Sequence, residues 1–336
     1  MNEPSIAVTP SLPDGFRVGH WTDGPARTGC TVVIPPPGTR GGVDVRGGGT
    51  GTRELETLSP LANAEGPTAV LLTGGSAFGL AACDGVTRWL EERRLGRLTP
   101  AGPVPLVSAA VVFDLVEGEP GRRPGPKEGY AACEQATVGV PGRGSIGAGT
   151  GAAVGKLLGR DRATRGGVGY AATMLASGAT VAAIAVANAF GDVTAADGRL
   201  LGAPRGANRD LVATAELIAR TPTPPNLSMQ PGASTTLVCL CTDAPLDKRG
   251  CAIAARVASA GIARAVNPAF TPVDGDVIFC LASGSEPPPP PGLAATWALT
   301  VLGTIAADLT AAAVRDAVRQ ANGDSVHPPG THPEIG

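Results

Sequence analysis

The sequence predicts a soluble protein of the mixed α/β (α+β) class. Six short apolar runs, many of them β-branched, are bounded by Gly, Pro or Asp, which is typical of strands. Four longer segments are alanine-rich and have helical patterns. The chain of 336 residues is 43% hydrophobic, enough for the sizeable core of one large domain or two ordinary ones.

The short apolar runs predict six strands, and one of them also predicts how two cysteine side chains are oriented. The predicted strands span residues 29–35, 68–75, 104–115, 179–193, 235–243 and 275–283. Cys239 and Cys241 are separated by one residue in the fifth run, so a strand would place both side chains on the same face.

Helices are predicted from the longer segments, over 76–94, 210–220, 244–266 and 293–321. Glycine-dense turns at 46–54 and 71–80 adjoin strand or helix starts, and Ser76 is placed to cap the first helix. The last helix has an apolar residue at every fourth position, which predicts a stripe buried against a sheet. The stripe consists of Leu293, Trp297, Val301, Ile305 and Leu309.

Proline interrupts the regular pattern at two places. Residues 221–233, TPTPPNLSMQPGA, cannot form a helix or a central strand, because four of them are proline. Residues 286–292, EPPPPPG, predict a polyproline spacer between the last strand and the last helix. The Pro/Gly-rich residues 323–336 predict a flexible tail.

Charge and hydropathy argue against two classes of partner. The 27 basic and 29 acidic residues nearly cancel, so the composition does not indicate a basic surface for nucleic acid or for an anionic membrane. The N-terminal residues lack a signal-peptide pattern, and no segment offers about 18 uninterrupted apolar residues. We therefore expect a cytoplasmic protein.

Cysteines and histidines argue against common catalytic sites. The seven cysteines are widely spaced without the pairing of a zinc site, so we expect buried, reduced thiols. Of the three histidines, only His20 lies in the body of the chain, because His327 and His332 belong to the tail. A serine or cysteine triad with an imidazole base is therefore not expected.

A glycine-rich stretch, GAGTGAAVGK at 147–156, invites comparison with a phosphate-binding loop. The spacing fails, because Thr150 and Leu157 stand where that loop requires a glycine and a serine or threonine. Lys156 then has two interpretations. It is either an exposed ammonium or a buried amine that needs a partner or a neutral form.

Three more polar residues stand beside strongly apolar runs. Asn188 must find hydrogen bonds there, and it either fixes a turn or donates to a substrate oxyanion. Asp274 and Asp276 flank one glycine at the start of a predicted strand. They either form a turn or orient a nearby ammonium or hydroxyl.

Three hydroxyl residues, Ser234, Thr235 and Thr236, stand at the start of a predicted buried strand, directly after the proline-rich segment. One chemistry needs this arrangement and no histidine. In an N-terminal nucleophile hydrolase the chain cuts itself, and the new α-amine activates the hydroxyl of the same residue. An α-amine has a pKa of about 7.7 to 8.0, so it serves as a base near neutral pH.

Eight motifs in this order resemble the DmpA-like peptidase family of L-aminopeptidase/D-esterases, β-aminopeptidases and nylon-oligomer hydrolases. They lie at 18–33, 43–54, 71–86, 104–115, 154–159, 186–193, 234–244 and 273–279. The resemblance covers about residues 14 to 320. It implies a four-layer αββα sandwich, also similar to the ornithine acetyltransferases, and a precursor that cleaves itself.

The resemblance implies roles for particular residues. Thr235 matches the nucleophile, which in the family lies seven residues before the threonine of a Thr-Asp or Thr-Asn pair, here Thr242; Thr236 is the alternative. Asn188 matches the oxyanion-hole asparagine, and Lys156 matches a lysine near the nucleophile. The acidic pair that orients the nucleophile and its amine is matched by Asp274 and Asp276.

Cleavage between Ser234 and Thr235 implies an α chain of residues 1–234 and a β chain of residues 235–336. Both would form one αββα domain, with 221–234 as the linker and 323–336 as the tail. Two positions depart from the family. Ser234 replaces a frequent asparagine, and Phe113 stands where some members have a site tyrosine.

The resemblance implies a hydrolase that removes an N-terminal amino acid from small peptides, amides or esters through an acyl-threonine intermediate. It implies no metal and no organic cofactor, and it favours a homo-oligomer of αβ heterodimers, such as a tetramer. Two alternatives stay open: an acyltransferase on the same fold, and a binding protein that has lost turnover, which Phe113 favours because it lacks a hydroxyl.

Overall fold

A computed structural model of the unbroken chain describes residues 10–119, 121–220 and 233–323. The predicted linker, apart from its last two residues, and the predicted tail, apart from residue 323, lie outside the described residues.

Seventeen strands are present in these residues, most of them in two sheets. In chain order they are β1 Arg17–Asp23, β2 Thr28–Ile34, β3 Arg40–Val45, β4 Thr52–Arg53, β5 Ala69–Thr73, β6 Arg97–Thr99, β7 Gly102–Val104, β8 Val107–Val111, β9 Ala153–Val154, β10 Thr164–Arg165, β11 Val168–Met174, β12 Thr180–Asn188, β13 Asp192–Thr194, β14 Leu200–Gly202, β15 Thr235–Thr242, β16 Val266–Asn267 and β17 Val277–Ala282. The described α-helices are α1 Ser76–Gly79, α2 Ala82–Glu92, α3 Pro126–Glu134, α4 Thr214–Ala219, α5 Lys248–Ala265 and α6 Leu293–Ala321.

Two five-stranded sheets form the centre of the molecule, with the orders β1-β2-β5-β8-β4 and β11-β12-β15-β17-β3. A cluster of apolar side chains fills the space between them. A second cluster joins the first sheet to α2 and α3, and a third joins the second sheet to α5 and α6. The molecule is therefore a four-layer αββα sandwich, which confirms the predicted fold class.

Alternation along β15 decides which side chains meet the space between the sheets. Leu237, Cys239 and Cys241 belong to the inter-sheet core, whereas Val238 and Leu240 pack against the helices. The two cysteines share one face, as predicted. The same alternation assigns Thr235 to the inter-sheet face and Thr236 to the helix face.

Strands β1, β3 and β11 were not predicted, and all three are edge strands of the two large sheets. An edge strand is covered on fewer sides and tolerates glycine and polar residues, so its hydrophobic pattern is weak. Helix α3 also lacked a clear signal, since its nine residues PKEGYAACE include a proline, a glycine and three charged residues.

Two predicted helices are shorter than expected. The segment 76–94 divides into α1 and α2, and Ser76 does not cap α1, since it has φ of 51° and no side-chain cap hydrogen bond is formed. The segment 210–220 is helical only from Thr214, because the Asp192 carboxylate accepts a hydrogen bond from the Thr214 backbone N–H at 2.6 Å. These are corrections that depend on tertiary contacts.

Helix α6 has the predicted bounds, but its predicted stripe is only partly buried. Leu309 is buried, whereas Leu293 and Trp297 are 87% and 66% exposed. The prediction was wrong at these two positions because a four-residue step drifts by about 40° around a helix, and 29 residues extend about 43 Å. By length and composition alone α6 could cross a membrane, but half of its most apolar window is buried in the fold, as in a core helix.

Candidate active site

The predicted nucleophile, Thr235, is the first residue of β15 and is almost fully buried. Its Oγ lies 2.5 Å from the carbonyl oxygen of Ser234. The backbone N–H of Gly275 donates a hydrogen bond to the same carbonyl oxygen at 2.8 Å. A hydroxyl and a backbone donor therefore meet at the peptide group that was predicted to be cleaved.

Gly275 has no room for a side chain. A Cβ atom there would lie 2.6 Å from the Gly49 carbonyl oxygen and 3.0 Å from Thr235 Oγ. The Gly49 N–H in turn donates to the Asp274 carbonyl oxygen at 2.8 Å. The glycine-dense turn at 46–54 therefore lies directly over the start of β15. No sequence pattern predicted the Gly275 contact, because its donor is a backbone N–H group.

Asn188 ends β12 and lies opposite Thr235 in the antiparallel pair. Its side chain is fully buried, and its Oδ1 accepts a hydrogen bond from the Ala153 backbone N–H at 3.1 Å. That bond sets the orientation of the carboxamide, because only the oxygen can accept. Nδ2 then has no hydrogen-bond partner among the described residues. A buried donor without a partner is rare and is typical of a ligand site.

Lys156 is fully buried, which excludes the exposed interpretation. Its Nζ donates to the carbonyl oxygens of Asn188 at 2.5 Å and Ala233 at 2.9 Å, and it lies 3.3 Å from Ser234 Oγ. Burial, followed by repulsion from Arg160, lowers the pKa of this amine well below its usual value, against the attraction of nearby carboxylates. The amine therefore contacts Ala233 and Ser234, the two residues on the acyl side of the candidate scissile bond.

The acidic pair is buried at the start of β17. Asp274 accepts hydrogen bonds from the backbone N–H groups of Phe190 and Thr271, both at 3.1 Å. Asp276 accepts from the Thr236 N–H at 2.5 Å and from the Phe270 N–H at 3.3 Å.

Burial, and then the charge of Asp274, raise the pKa of Asp276 to about 7. Among the described residues neither carboxylate bonds to Thr235 itself. In the unbroken chain the nitrogen of Thr235 belongs to a peptide group, so no free amine is present for the pair to orient.

Thr236, the alternative nucleophile, is fully buried on the helix face of β15. Its backbone N–H donates a hydrogen bond to the Asp276 carboxylate at 2.5 Å. Thr235 and Asn188 instead share the inter-sheet face. The geometry therefore places Thr235, and not Thr236, beside the predicted oxyanion asparagine.

Asp114 was missed by the sequence analysis. It is buried after β8 and accepts hydrogen bonds from Thr28 Oγ1 at 2.7 Å and from the Gly75 N–H at 2.6 Å. Burial raises its pKa. The residue before it, Phe113, offers only its backbone oxygen to Arg160, at 2.8 Å. The position of Asp114 near the end of the predicted strand 104–115 was the one sequence feature that could have indicated a buried carboxylate there.

The cysteines and His20 lie apart from the candidate active site in the fold's interior. All seven cysteines are buried and free, as predicted. His20 Nδ1 lies 2.9 Å from Thr31 Oγ1, and burial lowers the pKa of His20 to about 4. No group of His, Cys, Asp and Glu suited to a metal ion occurs in the described part of the chain.

Comparison with known proteins shows the family of this chain. The sequence profile described as Peptidase family S58 matches residues 14–327. An uncharacterized aminopeptidase of Mycobacterium tuberculosis is 42% identical in an alignment of 325 positions that covers 89% of this chain and 90% of that protein. A 6-aminohexanoate-oligomer endohydrolase of Paenarthrobacter ureafaciens is 29% identical over 313 residues, covering 90% and 84%.

Solved structures show the same fold. A β-aminopeptidase of Burkholderia sp. superposes with a TM-score of 0.65 at 24% identity, covering 91% of this chain and 84% of the other. The L-aminopeptidase D-Ala-esterase/amidase of Ochrobactrum anthropi, described as a variant of the Ntn-hydrolase fold, gives a TM-score of 0.66 at 19% identity, covering 90% and 84%. The chain therefore belongs to peptidase family S58, a family of hydrolases.

Proposed function

We propose that the protein cleaves its own chain between Ser234 and Thr235 and then works as an aminopeptidase or amidase with Thr235 as its N-terminal nucleophile. The observation that carries this proposal is the Thr235 hydroxyl 2.5 Å from the Ser234 carbonyl oxygen, which also accepts the Gly275 N–H. A hydroxyl and an oxyanion donor at one peptide group are what an acyl shift needs.

In the self-cleavage, Thr235 Oγ forms a bond to the Ser234 carbonyl carbon, and the bond from that carbon to the Thr235 nitrogen breaks. The hydroxyl proton passes to the departing nitrogen, and water then hydrolyses the ester. Lys156 supports this step, because its Nζ contacts the acyl side of the bond and burial lowers its pKa, which favours release of its proton. The products would be chains of 234 and 102 residues, which add up to the 336 of the precursor.

In turnover, the freed α-amine of Thr235 takes the proton of its own hydroxyl while Oγ attacks the substrate carbonyl. Asn188 Nδ2, which has no partner among the described residues, would donate to the oxyanion. Asp274 and Asp276 would hold the amine and the hydroxyl in line, and one of them would bind a substrate ammonium. Water releases the acyl group from the threonine.

The substrates we propose are small peptides, amides or esters with a free amino terminus. Two kinds of relative support this range, one named an aminopeptidase and the other a 6-aminohexanoate-oligomer endohydrolase. The first name describes removal of an N-terminal amino acid, and the second describes hydrolysis within an oligomer of 6-aminohexanoate.

N-terminal sequencing of the smaller fragment after expression tests the proposal. We expect it to begin at Thr235, and we expect the cut protein to release a chromogenic amine from amino-acid anilides. A single intact species of 336 residues that binds such compounds without turnover would support the binding protein instead. Faster release in the presence of added amines, with amide products, would support the acyltransferase.

The cut protein is proposed to be a cytoplasmic homo-oligomer of αβ heterodimers, with a tetramer favoured. The nearly balanced charge and the exposed Leu293 and Trp297 on α6 support association through an apolar surface. Light scattering after size-exclusion chromatography measures the assembly, and a mass of one αβ unit would contradict it.

A further inference from the structure

A cavity of about 400 Å³ shares one wall residue, Ala153, with the hydrogen bonds of the candidate active site. Ala153 lies in its wall, and the backbone N–H of Ala153 donates to Asn188 Oδ1. Asn188 in turn lies opposite Thr235. The cavity therefore begins one residue away from the predicted oxyanion donor, and its volume suits a small ligand.

Charged side chains dominate the lining of this cavity. Arg27, Arg160 and Arg165 contribute three guanidinium groups, and Glu117 and Asp161 contribute two carboxylates. Together they leave one excess positive charge. The lining therefore favours one anionic group and disfavours a substrate ammonium.

Glu117 organises two of the arginines. Its carboxylate lies 2.7 Å from Arg160 and 3.2 Å from Arg27, and its side chain is only 10% exposed. Arg160 is held further by its bond to the Phe113 carbonyl oxygen. Arg165 is exposed and forms no ion pair in the described part of the chain, so its donors are available to a ligand.

We infer that this cavity binds a carboxylate on the leaving part of the substrate, so that the preferred substrates are short peptides with a free C-terminal carboxylate. The inference rests on the proposed function. An acyl part with an ammonium would be repelled by the excess positive charge of the cavity and attracted by the carboxylates of the acidic pair. Guanidinium groups suit this role, because they bind carboxylates through two parallel hydrogen bonds.

The kinetic test compares L-alanyl-L-alanine with its C-terminal amide, which differs only in the charge. We expect kcat/KM of the native protein to be about tenfold higher for the acid, as the loss of one charged hydrogen-bond partner implies. Arg165→Gln should remove this preference by raising KM for the acid more than for the amide. Arg162→Gln, an exposed arginine of the same segment outside the cavity lining, should keep it.

Equal kcat/KM for the two dipeptides, or a preference for the acid that survives Arg165→Gln, would overturn the inference. Hydrolysis of an anilide by the same protein would show that the proposed function still holds. Calorimetric titration with N-acetyl-L-alanine and its amide measures ligand binding without hydrolysis. It therefore tests the carboxylate site even if the proposed function is wrong. If nothing is hydrolysed, tighter binding of the acid that is lost in Arg165→Gln sustains the carboxylate site without the proposed function. Equal binding of both compounds, or binding of neither, refutes the site.

Discussion

Asn188 and Thr235 lie directly opposite each other at the ends of two antiparallel strands, on the face that meets the space between the sheets. The carboxamide oxygen is bound by a backbone N–H, while the amide nitrogen has no partner among the described residues. Strand register thus brings the proposed nucleophile beside the proposed oxyanion donor, and the Ala153 N–H sets the orientation of the carboxamide.

Replacing Thr235 and Thr236 one at a time should show which of the two hydroxyls is needed for self-cleavage. We expect Thr235→Ala to give an uncut and inactive protein of 336 residues, because the hydroxyl at the Ser234 carbonyl is lost. Thr236→Ala is the matched control, since Thr236 lies on the opposite face of the strand, and it should still be cut. The intact mass of each variant under denaturing conditions shows whether it is cut. If Thr235→Ala is cut normally, Thr235 is not the nucleophile of self-cleavage.

The donor of Asn188 is tested by Asn188→Asp, which keeps an acceptor for the Ala153 N–H and removes the amide N–H. We expect kcat on an anilide to fall by about 10² to 10³, the usual effect of losing one oxyanion donor. Thermal unfolding should change much less than in Asn188→Ala, which leaves the Ala153 N–H unpaired. A kcat within a factor of three would contradict the donor role.

A methyl group at Gly275 should displace the nucleophile. The new Cβ would lie 2.6 Å from the Gly49 carbonyl oxygen and 3.0 Å from Thr235 Oγ, so we expect Gly275→Ala to slow self-cleavage strongly. Gly24→Ala is the control, because its Cβ would meet nothing within 4 Å. The fraction cut with time, from gel densitometry, compares the two. Equal rates would show that the Gly275 approach has no part in cleavage.

The raised pKa of Asp276 predicts a pH dependence of stability. Between its ordinary value of 3.8 and about 7 the unfolded chain is ionised at this residue while the folded chain keeps the proton. Folding then takes up a proton, so the contribution of Asp276 to the free energy of unfolding falls as pH rises through this window.

Urea unfolding of the uncut Thr235→Ala protein at pH 5 and pH 8 measures the effect, with Asp276→Asn added in the same background. Burial also raises the pKa of Asp192, to about 6, and this acts with the same sign, whereas the lowered pKa of His20 acts with the opposite sign below about pH 6.5. The free energy of unfolding should therefore fall less between pH 5 and pH 8 in the protein with Asp276→Asn than in Thr235→Ala alone. An identical decline in both proteins would mean that Asp276 ionises normally.

Local pattern determined much of this protein. The six central strands and the two long helices follow from short-range alternation and periodicity, because they are buried and their side chains must alternate or repeat to cover a core. The edge strands escaped prediction for the converse reason. The site residues came from their order along the chain, through resemblance to a family, and not from any single motif.

Tertiary structure alone decided how those residues interact. Lys156 reaches the Ala233 carbonyl across 77 residues, and Asp274 receives the Phe190 N–H across 84. The Gly275 contact and the arginine cavity likewise join distant segments. Such contacts set burial, amide orientation and pKa, and no local pattern encodes them, because each depends on which remote backbone groups the two sheets bring together.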